Sequence, residues 1–114
     1  MALARALVFE PSVLLLDEPA TFLDLHHQIS LYRLLRQLAA DGRLIVAVTH
    51  DLNLAATYSD RVVLLARGGV AADGPPEQVL TAARIRDVFA VDVQTVDPGD
   101  GRGWIVYGRE TGHA

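Results

Sequence analysis

The sequence of 114 residues contains no cysteine, so neither a disulfide nor a thiolate metal site can form in it. Its apolar runs are far shorter than the roughly 20 residues that a helix needs to cross a bilayer, so we expect no transmembrane segment. The formal net charge is −4 and no basic cluster is visible, so nucleic acid is not an expected partner. Because 51% of the residues are hydrophobic and 21% are charged, the composition predicts a folded globular chain.

The chain also contains no lysine, because all ten of its basic residues are arginine. A phosphate-binding loop of the form G-x-x-x-x-G-K-[ST] requires a lysine. Such a loop is therefore excluded from these 114 residues.

One stretch organises the sequence: the apolar run Val13–Leu16 leads directly into Asp17 and Glu18. Four apolar residues without polar alternation predict a strand buried on both faces, as in a parallel sheet covered by helices. Carboxylates are costly to bury unless something positive meets them. In open α/β sheets ligands bind beyond the carboxyl ends of the strands, where Asp17 and Glu18 would lie. The alternative is a strand that simply ends in a solvated acidic turn.

A second apolar strand, Leu44–Val48, also ends in polar residues, including His50. Between the two strands, the apolar spacing of Leu25–Ala40 predicts an amphipathic helix, with Asp24 suited to its N-cap. A strand, a crossover helix and a second strand form a βαβ unit with parallel strands. We therefore expect His50 at the same sheet edge as Glu18, which favours a functional site over a solvated turn.

The other segments predict short elements. They are helices at Ala2–Phe9, Leu52–Tyr58, Pro76–Leu80 and Ala82–Phe89, a β-hairpin between Arg61 and Ala72, and strands at Val91–Val96 and Trp104–Tyr107. A compositional boundary near Ala90 suggests two domains, residues 1–90 and a C-terminal β-hairpin extension at residues 91–114. Trp104 and Tyr107 are expected to pack inside that hairpin.

Several segments together resemble the ATP-binding cassette (ABC) ATPases. Val13–Glu18 is similar to their Walker B strand, Thr21–Asp24 (T-F-L-D) to their D-loop, and His50 within V-T-H-D to their switch histidine. The A-R-A-L of Ala4–Leu7 resembles the helix after the signature sequence, and Gly74–Leu80 resembles the closing segment. The resemblance extends over residues 1 to about 90, and the motifs occur in the family's order and spacing.

This resemblance implies an α/β chain with a partial P-loop NTPase fold, the C-terminal half of an ABC nucleotide-binding domain. The family's Walker A loop, Q-loop and signature motif have no counterpart here. The segments Asp24–Gln28 and Asp51–Asn53 resemble the corresponding segments of ABC importers of iron–siderophore, haem or cobalamin complexes. His26 and His27 are adjacent, and adjacent helical side chains diverge by about 100°, so we do not expect them to share a metal ion.

The resemblance also implies a role for each site residue. Asp17 would hold Mg²⁺, Glu18 would be the general base that activates water, and His50 would contact the γ-phosphate of ATP and the attacking water. Asp24 would line the interface at which two domains sandwich ATP, although an N-cap role explains it equally well. The alternatives are a pair of surface acids and a histidine without a ligand.

By this resemblance, the chain is part of an ATP-hydrolysing importer subunit, and we expect the isolated chain to be inactive because the Walker A lysine is missing. Its partners would be a second nucleotide-binding domain, forming a homodimer, and transmembrane permease subunits. Its place would be cytoplasmic, peripheral on the inner face of the cell membrane. One alternative is a non-catalytic fragment or dimerisation piece that cannot bind ATP alone. Another is a DNA-repair or chromosome-maintenance ATPase, which the negative charge and the lack of coiled-coil heptads disfavour.

Overall fold

A computed structural model describes residues 12–96, 99 and 104–107 of the chain. The helix predicted at Ala2–Phe9 lies outside these residues. The chain divides into two compact units, residues 1–50 and residues 51–114. The division between the predicted domains after Ala90 stays a prediction.

The first unit has a βαβ arrangement: strand β1 at Val13–Asp17, helix α1 at Leu25–Ala40 and strand β2 at Leu44–Val48. The two strands pair in parallel, in a register that runs from Val13 opposite Leu44 to Asp17 opposite Val48. The predicted parallel pairing is therefore confirmed. This register matters for the site, because it brings the carboxyl ends of both strands to the same level.

Helix α1 is delimited by two local signals, the first of which is the predicted N-cap. Asp24 is its N-cap, since the Asp24 side chain accepts a hydrogen bond from the His27 backbone N–H. After the C-cap, Gly42 adopts φ +97°, a left-handed conformation that favours glycine. The apolar face of α1 packs against β2 and buries Tyr32, Leu35 and Leu38.

The prediction that β1 and β2 are buried on both faces is wrong for the described part of the chain. Leu14 and Leu16 of β1 are buried, whereas Val13 and Leu15 are exposed, Leu15 by 76%. In β2 the same alternation exposes Leu44, Val46 and Val48. Because side chains alternate between the faces of a sheet, α1 covers one apolar face and leaves the other open to solvent.

The second unit consists of short elements. They are α2 at Leu52–Tyr58, β3 at Val62–Ala66, β4 at Gly69–Gly74, α3 at Pro76–Val79, α4 at Ala82–Phe89, β5 at Val93–Val96 and β6 at Trp104–Tyr107. Strands β3 and β4 form an antiparallel hairpin, as do β5 and β6. The predicted elements are thus present, with β3, α3 and β5 each slightly shorter than expected.

The core of the second unit draws on every one of these helices and on three of the strands. It comprises Ala56, Leu64, Val79, Leu80, Ile85, Val93 and Ile105. Trp104 and Tyr107, expected to be packing residues of the last hairpin, are each about half exposed, and Ile105 is the buried residue of β6. Strand alternation places Trp104 on the face opposite Ile105, whereas Tyr107 shares the face of Ile105 at the end of the strand.

Asn53 joins α2 to β6. Its side-chain amide donates a hydrogen bond of 3.0 Å to the Ile105 carbonyl, and its carbonyl accepts one of 2.8 Å from the Ile105 N–H. Asn53 thereby satisfies both backbone groups of Ile105, as a neighbouring strand would. Within the described ranges, no helix is both long and apolar enough to span a membrane.

Candidate functional site at the carboxyl ends of β1 and β2

The parallel register brings Glu18 and His50 together. The Glu18 N–H donates a hydrogen bond of 2.8 Å to the Val48 carbonyl, so the strand pairing continues one residue beyond β1. His50 follows two residues after Val48, and its Nε2 lies 3.3 Å from Oε1 of Glu18. Sequence spacing therefore predicted correctly that these two side chains share one sheet edge. Their catalytic roles stay a prediction.

Glu18 is held in an unusual conformation. Its φ is +49°, in the left-handed region that non-glycine residues seldom adopt. Its backbone carbonyl accepts a hydrogen bond of 3.2 Å from the Thr21 N–H, which closes a turn immediately after β1. Such a conformation persists where the surrounding contacts impose it, and it is found more often at functional sites than elsewhere.

The two carboxylate oxygens of Glu18 have different surroundings. Oε2 accepts a hydrogen bond of 3.3 Å from the Thr21 hydroxyl. Oε1 is shielded from solvent and accepts no well-directed hydrogen bond from the described residues, although His50 Nε2 is near. The His50 side chain is 90% exposed, so this pair contributes less than about 1 kcal/mol to stability. Oε1 thus has an acceptor position that the described residues leave unused.

Asp17 is exposed at the last position of β1. Mg²⁺ prefers oxygen ligands and commonly keeps several waters, so one exposed carboxylate suits it without a protein cage. Among the described side chains, no three histidine, aspartate or glutamate residues are grouped to hold a metal. The position of Asp17 is therefore compatible with one carboxylate ligand to Mg²⁺, with water as the other ligands from this side.

Asp24 acts within α1. Oδ1 accepts a hydrogen bond of 2.9 Å from the His27 N–H and lies 2.7 Å from His27 Nδ1. These contacts lower the pKa of Asp24, the backbone hydrogen bond from His27 contributing most. The N-cap role predicted for Asp24 is confirmed, and its place in a nucleotide site stays a prediction. The rings of His26 and His27 meet edge to face, with centroids 5.2 Å apart, and both side chains are exposed.

We expect the contribution of Asp24 to stability to depend on pH. Its folded-state pKa lies below the ordinary 3.8, so its stabilisation is complete above that value and is lost as the pH falls through the lower folded value. In the variant Asp24→Asn, the new side chain can cap the helix but does not titrate. The wild type should therefore exceed this variant in thermal unfolding midpoint at about pH 6, and this advantage should shrink steadily as the pH is lowered below 3.8, as followed by circular dichroism. A constant difference would contradict the expectation.

The side-chain contacts of two residues near the site were not predicted from the sequence. Thr21 contacts the Glu18 carboxylate, and the side-chain amide of Gln28 donates to the Ala20 and Leu23 carbonyls. A hydroxyl three residues after an acid, and an amide four residues after an N-cap, were the available signals. Both spacings are common among solvent-exposed residues without a specific role, so neither identified a site residue.

The chain is similar in sequence and in fold to known proteins. No family model matches the chain. It is 48% identical over 94 residues to a hemin import ATP-binding protein HmuV from Thermobifida fusca, covering 82% of this chain and 33% of that protein. A protein of the same name from Nocardia farcinica is 48% identical over 97 residues, covering 85% and 34%. The chain thus spans about a third of the length of the curated relatives it matches.

Two solved structures with a similar fold belong to ABC transporters, as the sequence relatives do. An ABC transporter assigned to the metal-chelate type, in an inward-facing conformation, superposes with a TM-score of 0.82 at 25% identity, over 96% of this chain and 45% of that one. CbiO1 of Clostridium perfringens, part of the ABC transporter complex CbiONQ, gives a TM-score of 0.62 at 32% identity, over 75% and 34%. The fold is therefore an α/β, partial P-loop NTPase fold of the ABC ATPase type.

Taken with the sequence relatives, these structures place the chain in the family of ABC transporter ATP-binding proteins.

Proposed function

We propose that this chain is the part of an ATP-hydrolysing importer subunit that supplies the general base, with haem or a related metal chelate as cargo. The single observation that carries the proposal is the meeting of Glu18 and His50 across parallel strands, at 3.3 Å. Two relatives described above are named hemin import ATP-binding proteins, and these names support haem as the cargo. The metal-chelate type of the superposed transporter supports the broader class of cargo.

The geometry suits hydrolysis by a water molecule. The Glu18 carboxylate takes the proton of the attacking water while the water oxygen bonds to the γ-phosphorus and the bond to the bridging oxygen breaks. His50, exposed beside this carboxylate, orients the water and the γ-phosphate. Asp17 would hold Mg²⁺, which when bound neutralises phosphate charge. The lysine-containing loop that binds the phosphates in P-loop proteins has no counterpart in these 114 residues.

The same proposal includes partners and location. A second nucleotide-binding domain would form a homodimer with the D-loop, Thr21–Asp24, at its interface, and transmembrane permease subunits would bind the assembled protein. It would act in the cytoplasm, peripherally on the inner face of the membrane. Support for these parts comes from the family alone.

A hybrid protein tests the proposal. In the hybrid, the matching third of the Thermobifida fusca relative is replaced by the aligned residues of this chain. Because the two sequences are 48% identical there, the hybrid should fold and hydrolyse ATP within about tenfold of the parent's rate. A hybrid that folds, with an unfolding midpoint like the parent's, but hydrolyses no ATP would overturn the proposal.

The second candidate function is a non-catalytic fragment, and the absent lysine favours it for the isolated chain. Backbone amides and a lysine around the phosphates supply much of the ATP affinity of P-loop proteins. We therefore expect isothermal titration calorimetry of the isolated chain to show no Mg-ATP binding at micromolar concentration. Tight binding would show that the described site holds nucleotide without a phosphate loop.

A further inference from the structure

The loop that follows Glu18 is built from two overlapping turns. The Thr21 N–H donates to the Glu18 carbonyl at 3.2 Å, and the Leu23 N–H donates to the Ala20 carbonyl at 3.1 Å. Residues 19–23 thereby connect the general base proposed above to the N-cap of α1. Since the loop has few backbone hydrogen bonds of its own, its geometry depends on what else holds it.

Gln28 supplies that additional hold. Its side-chain nitrogen Nε2 lies 3.3 Å from the Ala20 carbonyl oxygen and 3.1 Å from the Leu23 carbonyl oxygen. Both partners are acceptors only, so the amide must present its NH₂ group to them, and its two hydrogens can serve one carbonyl each. One half-buried side chain on the rigid helix α1 therefore fastens both ends of the Ala20–Leu23 turn.

The fastened stretch contains the residue that contacts the general base. Thr21 lies between Ala20 and Leu23, and its hydroxyl donates to Oε2 of Glu18 at 3.3 Å. A displacement of the turn would move this hydroxyl, and the carboxylate would lose its only well-directed hydrogen bond among the described residues. Glu18 also has the unfavourable φ of +49°, so its backbone depends on the same turn.

We infer that Gln28 is a positioning residue for hydrolysis: by clamping the Ala20 and Leu23 carbonyls, it fixes Thr21 and so orients the Glu18 carboxylate. This inference rests on the proposed function. Gln28 acts on the reaction only through the loop, whose carbonyls its side chain binds.

Kinetics of the hybrid protein provide the first test. Gln28→Leu removes both donors at similar volume, and Gln28→Glu keeps the shape but turns a carboxylate toward two carbonyls. Both should lower kcat by roughly 10-fold to 100-fold, because small misplacements of reacting groups are costly, while KM for ATP changes less than about twofold. Gln37→Leu, at an exposed position of the same helix, is the matched control and should leave kcat unchanged.

Two results would overturn the inference. One is an unchanged kcat in both Gln28 variants. The other is a loss of kcat that simply follows a lower unfolding midpoint and a raised KM, since that would make Gln28 a residue of general stability. If the unsubstituted hybrid is inactive, it is the proposed function that fails.

Nuclear magnetic resonance on the hybrid protein tests the clamp independently of activity. In the unsubstituted hybrid the backbone amides of Thr21 and Leu23 should have order parameters near those of rigid backbone, about 0.85. In Gln28→Leu they should fall toward about 0.6, while amides in the middle of α1 keep their values. Unchanged order parameters at Thr21 and Leu23 would contradict the clamp even if the hybrid hydrolyses ATP.

Discussion

Replacement of Glu18 by glutamine in the hybrid protein should lower kcat for ATP hydrolysis by at least about 100-fold, with KM for ATP nearly unchanged. The amide has the size of the carboxylate and can still accept the Thr21 hydrogen bond at its oxygen. It cannot accept a proton from water at neutral pH. The loss would therefore measure proton transfer and not the binding of nucleotide.

The matched control for this experiment is Glu77→Gln. Glu77 is an exposed glutamate in the first turn of α3, and its replacement makes the same chemical change at a residue that is not part of the loop. Turnover should be unaffected. If Glu18→Gln kept turnover within about twofold of the unsubstituted hybrid, another group or bulk water would have to be the base.

The sequence was sufficient to predict the central juxtaposition of the site. Two apolar runs separated by an amphipathic stretch of helical length leave a parallel βαβ unit as the simplest arrangement. Parallel strands bring their carboxyl ends to one edge, so Glu18 and His50 follow from spacing alone. The structure places their side chains 3.3 Å apart, because the register sets Asp17 opposite Val48.

The contacts of Thr21 and Gln28 could not be predicted in the same way. Both depend on where two turns place backbone carbonyls. Pro19 marks the first turn, Glu18–Thr21, but the second turn, Ala20–Leu23, contains neither glycine nor proline. Gln28 occupies an ordinary helix position, and its role appears only once the Ala20 and Leu23 carbonyls are located beside it. Periodicity predicts which face of a helix is apolar, but it does not predict side-chain to backbone hydrogen bonds.

Burial of the strands marks another limit. An all-apolar run such as Val13–Leu16 is compatible with cover on both faces, but whether each face is covered depends on elements elsewhere. In the described residues α1 packs on one face of this sheet, and Leu14 is buried while Leu15 is 76% exposed. For Trp104, aromatic character alone likewise did not determine which face of β6 turns inward.

The exposed face of β1 and β2 should make the isolated chain self-associate. Five large apolar side chains, Val13, Leu15, Leu44, Val46 and Val48, are each at least 44% exposed on this face. In addition, β1 is the only described strand that pairs with β2, which leaves the other β2 edge free for another chain. Contiguous apolar surface and an open edge both favour association.

A charged substitution on that face should reverse the association. We expect size-exclusion chromatography with light scattering to show oligomers of the wild-type chain, and a shift to monomer for Val46→Lys, because a lysine at the middle of β2 opposes both face-to-face and edge-to-edge contact. The matched control is Val70→Lys on β4, where Val70 is 64% exposed and charge should leave the oligomers intact. A monodisperse wild-type monomer that unfolds cooperatively would show that the open edge and exposed face are insufficient to drive association. If both variants became monomeric, net charge and not this face would control association.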